Sequence, residues 1–218
     1  MLGSYKVSLN EKTVIIALVI LHVVGILGFT FFNFEGFFYR LTPFNLIISL
    51  TLVLSFHPTW HRKSIFFFVF TFLWGFFIEL IGVNTGSIFG HYEYDFALGF
   101  KIFNTPPVIG INWVLTSYCL AIATNHLMSE KDNWIIKALI ATLGMVILDF
   151  FIEPVATKTG MWHWENNIIP FKNYIGWFLT ALPIQLLFFK LMGDVKNKIA
   201  VVLFVLMFLF FFILNFLI

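Results

Sequence analysis

The chain has 218 residues, 60% of them hydrophobic, 20% aromatic and only 11% charged, with a formal net charge of +2. A soluble domain carries roughly a quarter charged residues, and a globule of this size cannot bury so much apolar surface, so a soluble fold is excluded and an integral membrane protein is expected. No basic run points to nucleic acid, and the one cysteine, Cys119 inside an apolar segment, excludes a disulfide framework and a cysteine-based metal site.

A membrane-spanning helix needs about 20 apolar residues, and helices are what lipid permits, because unpaired backbone groups are costly there. The expected architecture is all-α and polytopic, a single transmembrane domain over 1–218. Seven helices are expected, at about 13–32, 40–57, 64–82, 107–128, 134–153, 173–192 and 197–217. The first run begins near Thr13 without a small-residue cleavage site and reads as a retained helix, not a signal peptide. The second is the shortest in clean apolar sequence, with Arg40 and Pro43 at its start. With seven spans, nine Lys and Arg fall on the side of the N-terminus, Lys6, Lys12, Arg62 and Lys63 among them. Four fall on the other: Arg40, Lys101, Lys158 and Lys172. The excess of positive charge marks the cytoplasmic side, so the N-terminus is expected in the cytoplasm of a bacterial inner membrane, with the 83–106 and 154–172 loops on the far side.

Two stretches repeat one another 74 residues apart. Phe76-Phe77-Ile78-Glu79 is followed by Thr85-Gly86, and Phe150-Phe151-Ile152-Glu153 by Thr159-Gly160. Each copy runs into an aromatic and acidic patch, His91-Tyr92-Glu93-Tyr94-Asp95 in one and Trp162-His163-Trp164-Glu165 in the other. Each then meets Asn and Trp at the head of the next apolar run, Asn112-Trp113 and Asn173 with Trp177. Helices 3–4 and 5–6, in units of about 64–128 and 134–192, are expected to form a parallel internal repeat with a ligand site at its interface. The 83–106 loop is long for a compact bundle, which marks it as functional.

A carboxylate at the end of a membrane helix is expensive, and a functional site is the default reading. Glu79 and Glu153 hold equivalent places, and Asp149 lies one turn before Glu153 on the same face. Three carboxyls at one depth share protons rather than all ionise. One can then donate a proton while another, ionised, acts as base or stabilises a cation. The competing structural reading is an interhelical hydrogen-bond lock. The Tyr and Trp residues of the patches suit either a headgroup belt or the shielding of a cation by aromatic faces. His57 and His61 sit on the side opposite the carboxylates, His91 and His163 are one per repeat, and six scattered His do not supply a diiron cluster, so no metal is expected. Gly82 to Gly90 lacks the Lys of a phosphate-binding loop, and 199–218 has no Lys for a retinal Schiff base.

The run Gly82-Val83-Asn84-Thr85-Gly86, Phe89-Gly90-His91-Tyr92-Glu93-Tyr94 and Leu98-Gly99, then Pro107 and Trp113, is followed by Asp149, Glu153-Pro154-Val155-Ala156, Gly160-Met161-Trp162-His163-Trp164, Asn173 and Gly176-Trp177. Over about 74–180 this resembles the membrane-embedded carotenoid biosynthesis family whose characterised members are carotenoid 1,2-hydratases. Where that family usually has Asp-Pro-Val-Ala, this chain has Glu153-Pro154-Val155-Ala156. The resemblance implies a hydro-lyase without cofactor, acting on the acyclic ψ-end of a carotenoid within membrane lipid, beside other enzymes of carotenoid synthesis. Protonation at C2 of the terminal group gives a tertiary cation at C1, which water captures. Glu79, Asp149 and Glu153 are expected to move the proton and stabilise the cation. His91, Tyr92, Glu93, Tyr94, Asn112 and Asn173 are expected to place substrate and water, and Trp113, Trp162, Trp164 and Trp177 to wall the pocket. The rivals are a membrane lycopene cyclase, which quenches the same cation with an internal alkene, and a non-catalytic carotenoid or lipid carrier or transporter.

Overall fold

The computed structural model describes residues 10–32 and 34–218. The described residues form seven α-helices: α1 (Glu11–Phe31), α2 (Thr42–Leu54), α3 (Arg62–Thr85), α4 (Val108–Leu127), α5 (Trp134–Lys158), α6 (Phe171–Leu191) and α7 (Lys198–Leu217). Asparagines start three of them. Asn10, Asn133 and Asn197 turn their side-chain oxygens onto the backbone N–H of Lys12, Ile135 and Ala200, meeting donors that a helix start leaves unpaired. α3 stops at Gly86, whose φ of +64° is easy only for glycine, and whose N–H returns to Gly82 O.

Among the described residues, six helices are long and apolar enough to cross a membrane; α2 is not one of them. Its 13 residues rise about 20 Å, short of the ~30 Å hydrocarbon core. The span expected at 40–57 is a shorter helix, entered through a 3₁₀ turn at Tyr39–Leu41 with Arg40 and Pro43 at its start. α5 outruns its expected end at 153 and carries Pro154 inside the helix.

α4 forms the buried axis of the bundle and packs against α2, α3, α5, α6 and α7. The outer helices turn Phe66, Phe77, Ile147 and Phe150 outward, as lipid contact requires. α1 and α7 run side by side in one direction, with Glu11 beside Lys198 at their starts and Gly25 against Phe210 further along. Lys158 Nζ donates to Ile218 O at 2.8 Å, so α5 and α7 end on one side. Lys6 lies outside the described residues.

The two long loops pair with one another. Tyr92–Tyr94 (β1) and Trp162–Trp164 (β2) pair as an antiparallel ribbon with Tyr92 opposite Trp164, Glu93 opposite His163 and Tyr94 opposite Trp162. The pairing continues through Asp95 N–H to Met161 O, Ala97 N–H to Gly160 O and Glu165 N–H to His91 O. Alternation of side chains along a strand buries Tyr92, Tyr94, Trp162 and Trp164 and turns Glu93 and His163 outward. The ribbon thus places four aromatic rings over the ends of α3 and α5.

Candidate active site

The carboxylates sit beneath those rings. Glu79 lies near the end of α3, Asp149 and Glu153 one turn apart near the end of α5, and all three are buried. Tyr92 and Tyr94 each donate a hydroxyl hydrogen to Glu79 Oε2 at 2.6 Å, and Trp113 Nε1 on α4 donates to Glu79 Oε1 at 3.0 Å. Glu153 is held likewise. Trp162 Nε1 and Trp164 Nε1 donate to its Oε2 at 3.0 and 2.7 Å, and Asn173 Nδ2 on α6 donates to its Oε1 at 3.0 Å. The same Asn173 amide donates to Asp149 Oδ2 at 2.8 Å, bridging the two carboxyls of α5.

Three features decide what this cluster can do. Every oxygen of Glu79 and Glu153 accepts a hydrogen bond from an N–H or O–H donor. Asp149 Oδ1 has no hydrogen-bond partner among the described residues. No ion pair among the described residues involves Glu79, Asp149 or Glu153. Three buried carboxyls without a countercation must share protons or await a cation.

Tyr92 and Tyr94 stand outside the spanning helices. Burial first, and then the charge of Glu79, push both phenols well above their ordinary range, so they remain donors at every pH the protein meets. Lys101 Nζ donates to the Tyr94 carbonyl and ties the strand to the rest of its loop.

A cavity of about 20 Å³ lies between Glu79 and Glu153, bounded by Tyr92, Tyr94, Trp162, Asn173 and Trp177. That is room for one water molecule with polar partners on both sides. Aromatic rings complete it: Trp177, backed by Trp113 with centroids 4.4 Å apart, and Tyr92, 5.0 Å from Trp164. On the outer side of Tyr92 a surface cavity of about 270 Å³ is lined by His91, Glu93, His163 and Glu165.

Of the residues expected from sequence, Glu79, Asp149, Glu153, Tyr92, Tyr94, Trp113, Trp162, Trp164, Asn173 and Trp177 come together. His91 and Glu93 do not reach the carboxylates; both are exposed on the outer face of the ribbon. Asn112 lines a different, mainly apolar chamber. Phe89 and Ile109 wall the small cavity and were not expected there. Periodicity gives no signal for Phe89, which follows the helix in an irregular turn. Gly75, at the place in α3 that Asp149 holds in α5, has a structural reason: the Trp113 indole lies against it, and a Cβ there would collide with the ring. Among the described residues no group of three or more His, Cys, Asp or Glu side chains is arranged to hold a metal ion.

The family described as "Carotenoid biosynthesis protein" matches residues 41–218. A bisanhydrobacterioruberin hydratase of Haloarcula japonica is 30% identical over 150 residues, which are 65% of this chain and 50% of that protein. The chain thus spans about half the length of the curated relative it matches. No solved structure matches it.

Proposed function

The chain belongs to the carotenoid biosynthesis protein family, and from that premise we propose that it is a carotenoid 1,2-hydratase, adding water across the terminal C1=C2 bond of an acyclic ψ-end. The observation that carries the reading is a water-sized cavity between two hydrogen-bonded carboxyls, roofed by aromatic rings and without a countercation among the described residues.

Asp149 and Glu153, bridged by Asn173, hold one proton between them. Asp149 passes that proton to Glu153, which borders the cavity and delivers it to C2, leaving both carboxyls ionised until the site is reset. The new C–H bond takes the π electrons, leaving a tertiary cation at C1. Glu79, ionised under three donors, stabilises that cation together with Trp177 and Tyr92, which border the cavity. Water in the cavity attacks C1, its excess proton passes to Glu79, and a proton returns from Glu79 to Glu153 to reset the site. The sum is one alkene and one water giving one tertiary alcohol; this chemistry asks for no cofactor. The polar surface cavity outside Tyr92 suits water supply. Helices α3–α4 and α5–α6 act as two copies of one unit that have diverged, one holding the anion and the other the proton-bearing pair. We assign the chain to a bacterial inner membrane with its N-terminus in the cytoplasm, on its Lys and Arg distribution.

The test is expression in a bacterial host that accumulates lycopene or γ-carotene, followed by chromatography with mass detection. A product heavier by one water, absent with Glu153→Gln, is expected. An isomer of unchanged mass with an altered absorption spectrum identifies a cyclase instead. Unchanged pigment that co-purifies with the protein identifies a carrier.

A further inference from the structure

Resting on that reading, we propose that the carotenoid reaches the carboxyls sideways from the lipid, between α1 and α2, its terminal isoprene unit lying in an apolar chamber behind Trp162. A hydrocarbon chain is dissolved in the bilayer, and a path through the polar ribbon would carry it out of lipid into water. The helix bundle contains a path that avoids this.

Three cavities lie in series. The outermost, about 260 Å³, opens between α1 and α2 past Leu21, Val24, Phe44 and Ile48. Val24 is 48% and Phe44 61% exposed, so this mouth faces the lipid. The second, about 70 Å³, shares the walls Phe29, Thr42, Asn45 and Phe210 with the first. The third is the water-sized cavity at the carboxyls, and it shares Ile109 and Trp162 with the second. α1 leans mainly on α7 and touches α2 only sparsely, so the mouth is not sealed by helix packing.

The inner chamber is smaller than the ~150 Å³ that admits a benzene ring, so its walls must yield to an isoprene unit. Met161 and Met207 line it, and unbranched thioether side chains change shape easily. Trp162 is the partition, one face on the chamber and its Nε1 on Glu153. Thr42 Oγ1, in the wall common to both outer chambers, is buried without a partner among the described residues. It offers a hydrogen bond to the hydroxyl that the product carries on its way out.

Asn45→Trp places an indole in the shared wall, and Leu139→Trp, on the lipid face of α5, is the control. Both are assayed for hydrated product in lycopene-accumulating cells. Asn45→Trp is expected to lose at least tenfold in product and Leu139→Trp to stay within twofold of wild type. A second measurement does not depend on folding of the plugged variant or on turnover. p-Benzoylphenylalanine replaces Phe44 at the mouth, or Phe150 on α5 as control, and the membranes are irradiated with lycopene present. A lycopene adduct at position 44 and none at position 150 supports the lateral path. No adduct at position 44 in a protein that still hydrates lycopene, or full activity of Asn45→Trp, overturns it while leaving the hydratase reading intact. An adduct at position 44 in a wild-type protein that yields no hydrated product keeps the path and removes the hydratase reading.

Discussion

Replacing the two tyrosines above Glu79 with phenylalanine tests whether that carboxylate works as an anion. Tyr92 and Tyr94 both reach Glu79 Oε2 at 2.6 Å, within the 2.5–2.7 Å range of charge-assisted O–H···O⁻ bonds. Hydrogen bonds to charged groups contribute about 1.5–3 kcal/mol each, and 1.4 kcal/mol is tenfold in rate. Tyr94→Phe keeps the ring and removes only the hydroxyl, so turnover should fall roughly 10- to 100-fold with little repacking. The double variant Tyr92→Phe/Tyr94→Phe should fall further but by less than the product of the single losses. Both donors share one oxygen, and Trp113 still holds the other. The assay is hydrated carotenoid formed per unit of folded protein in membranes, with detergent melting curves as the folding control. A double variant that folds and matches or exceeds wild-type turnover refutes the assignment of Glu79 as the ionised partner and points to Glu79 as the acid.

Gly75→Ala should drive Trp113 from Glu79: overpacking of this kind costs about 1–3 kcal/mol, and both a lower melting temperature and reduced turnover are expected. Asn173→Leu removes the donor shared by Asp149 Oδ2 and Glu153 Oε1; leaving buried acceptors unmet costs about 1–3 kcal/mol each, readable as a loss of urea or thermal resistance together with activity. Because burial holds the Tyr92 and Tyr94 phenols protonated while an unfolded chain ionises its tyrosines near pH ~10, the unfolded state binds fewer protons above that pH. Stability should therefore be flat with respect to these groups from neutral pH to about 10 and decline above it. Melting curves of wild type and of the Tyr92→Phe/Tyr94→Phe variant should converge below pH 10 in slope and diverge above, with the variant declining less.

The class of the protein was legible in its residues because lipid imposes few solutions. Twenty-residue apolar runs read directly as helices, and six of the seven expected spans are, among the described residues, helices long and apolar enough to cross a membrane. α2 is shorter than the expected run, since a hydropathy pattern does not separate a 13-residue helix from the 3₁₀ turn that precedes it. Glu79, Asp149 and Glu153 stood out because a carboxyl within apolar sequence is costly in lipid and marks a candidate site by default. Alternation also lay in the sequence, in Tyr92-Glu93-Tyr94 and Trp162-His163-Trp164, and applied strictly it separates Tyr92 and Tyr94, which bury, from Glu93, which does not.

What the chain determines by itself is local: helix length, the spacing of Asp149 and Glu153 on one face, and which strand residues share a side. Only the tertiary structure decides the partners. Pairing of the two loops into one ribbon sets the four aromatic rings above the carboxyls. Packing of α3 and α6 around α4 stacks Trp113 on Trp177 and leaves a water-sized gap between Glu79 and Glu153. Asn173 comes to bridge two carboxyls of a helix that precedes its own, while Asn112, beside Trp113 in sequence, faces a different chamber. Adjacent residues on a helix point about 100° apart, so which one meets the site depends on the rotation at which each helix packs. That rotation is set by the shapes of all its neighbours at once and by no motif along the chain.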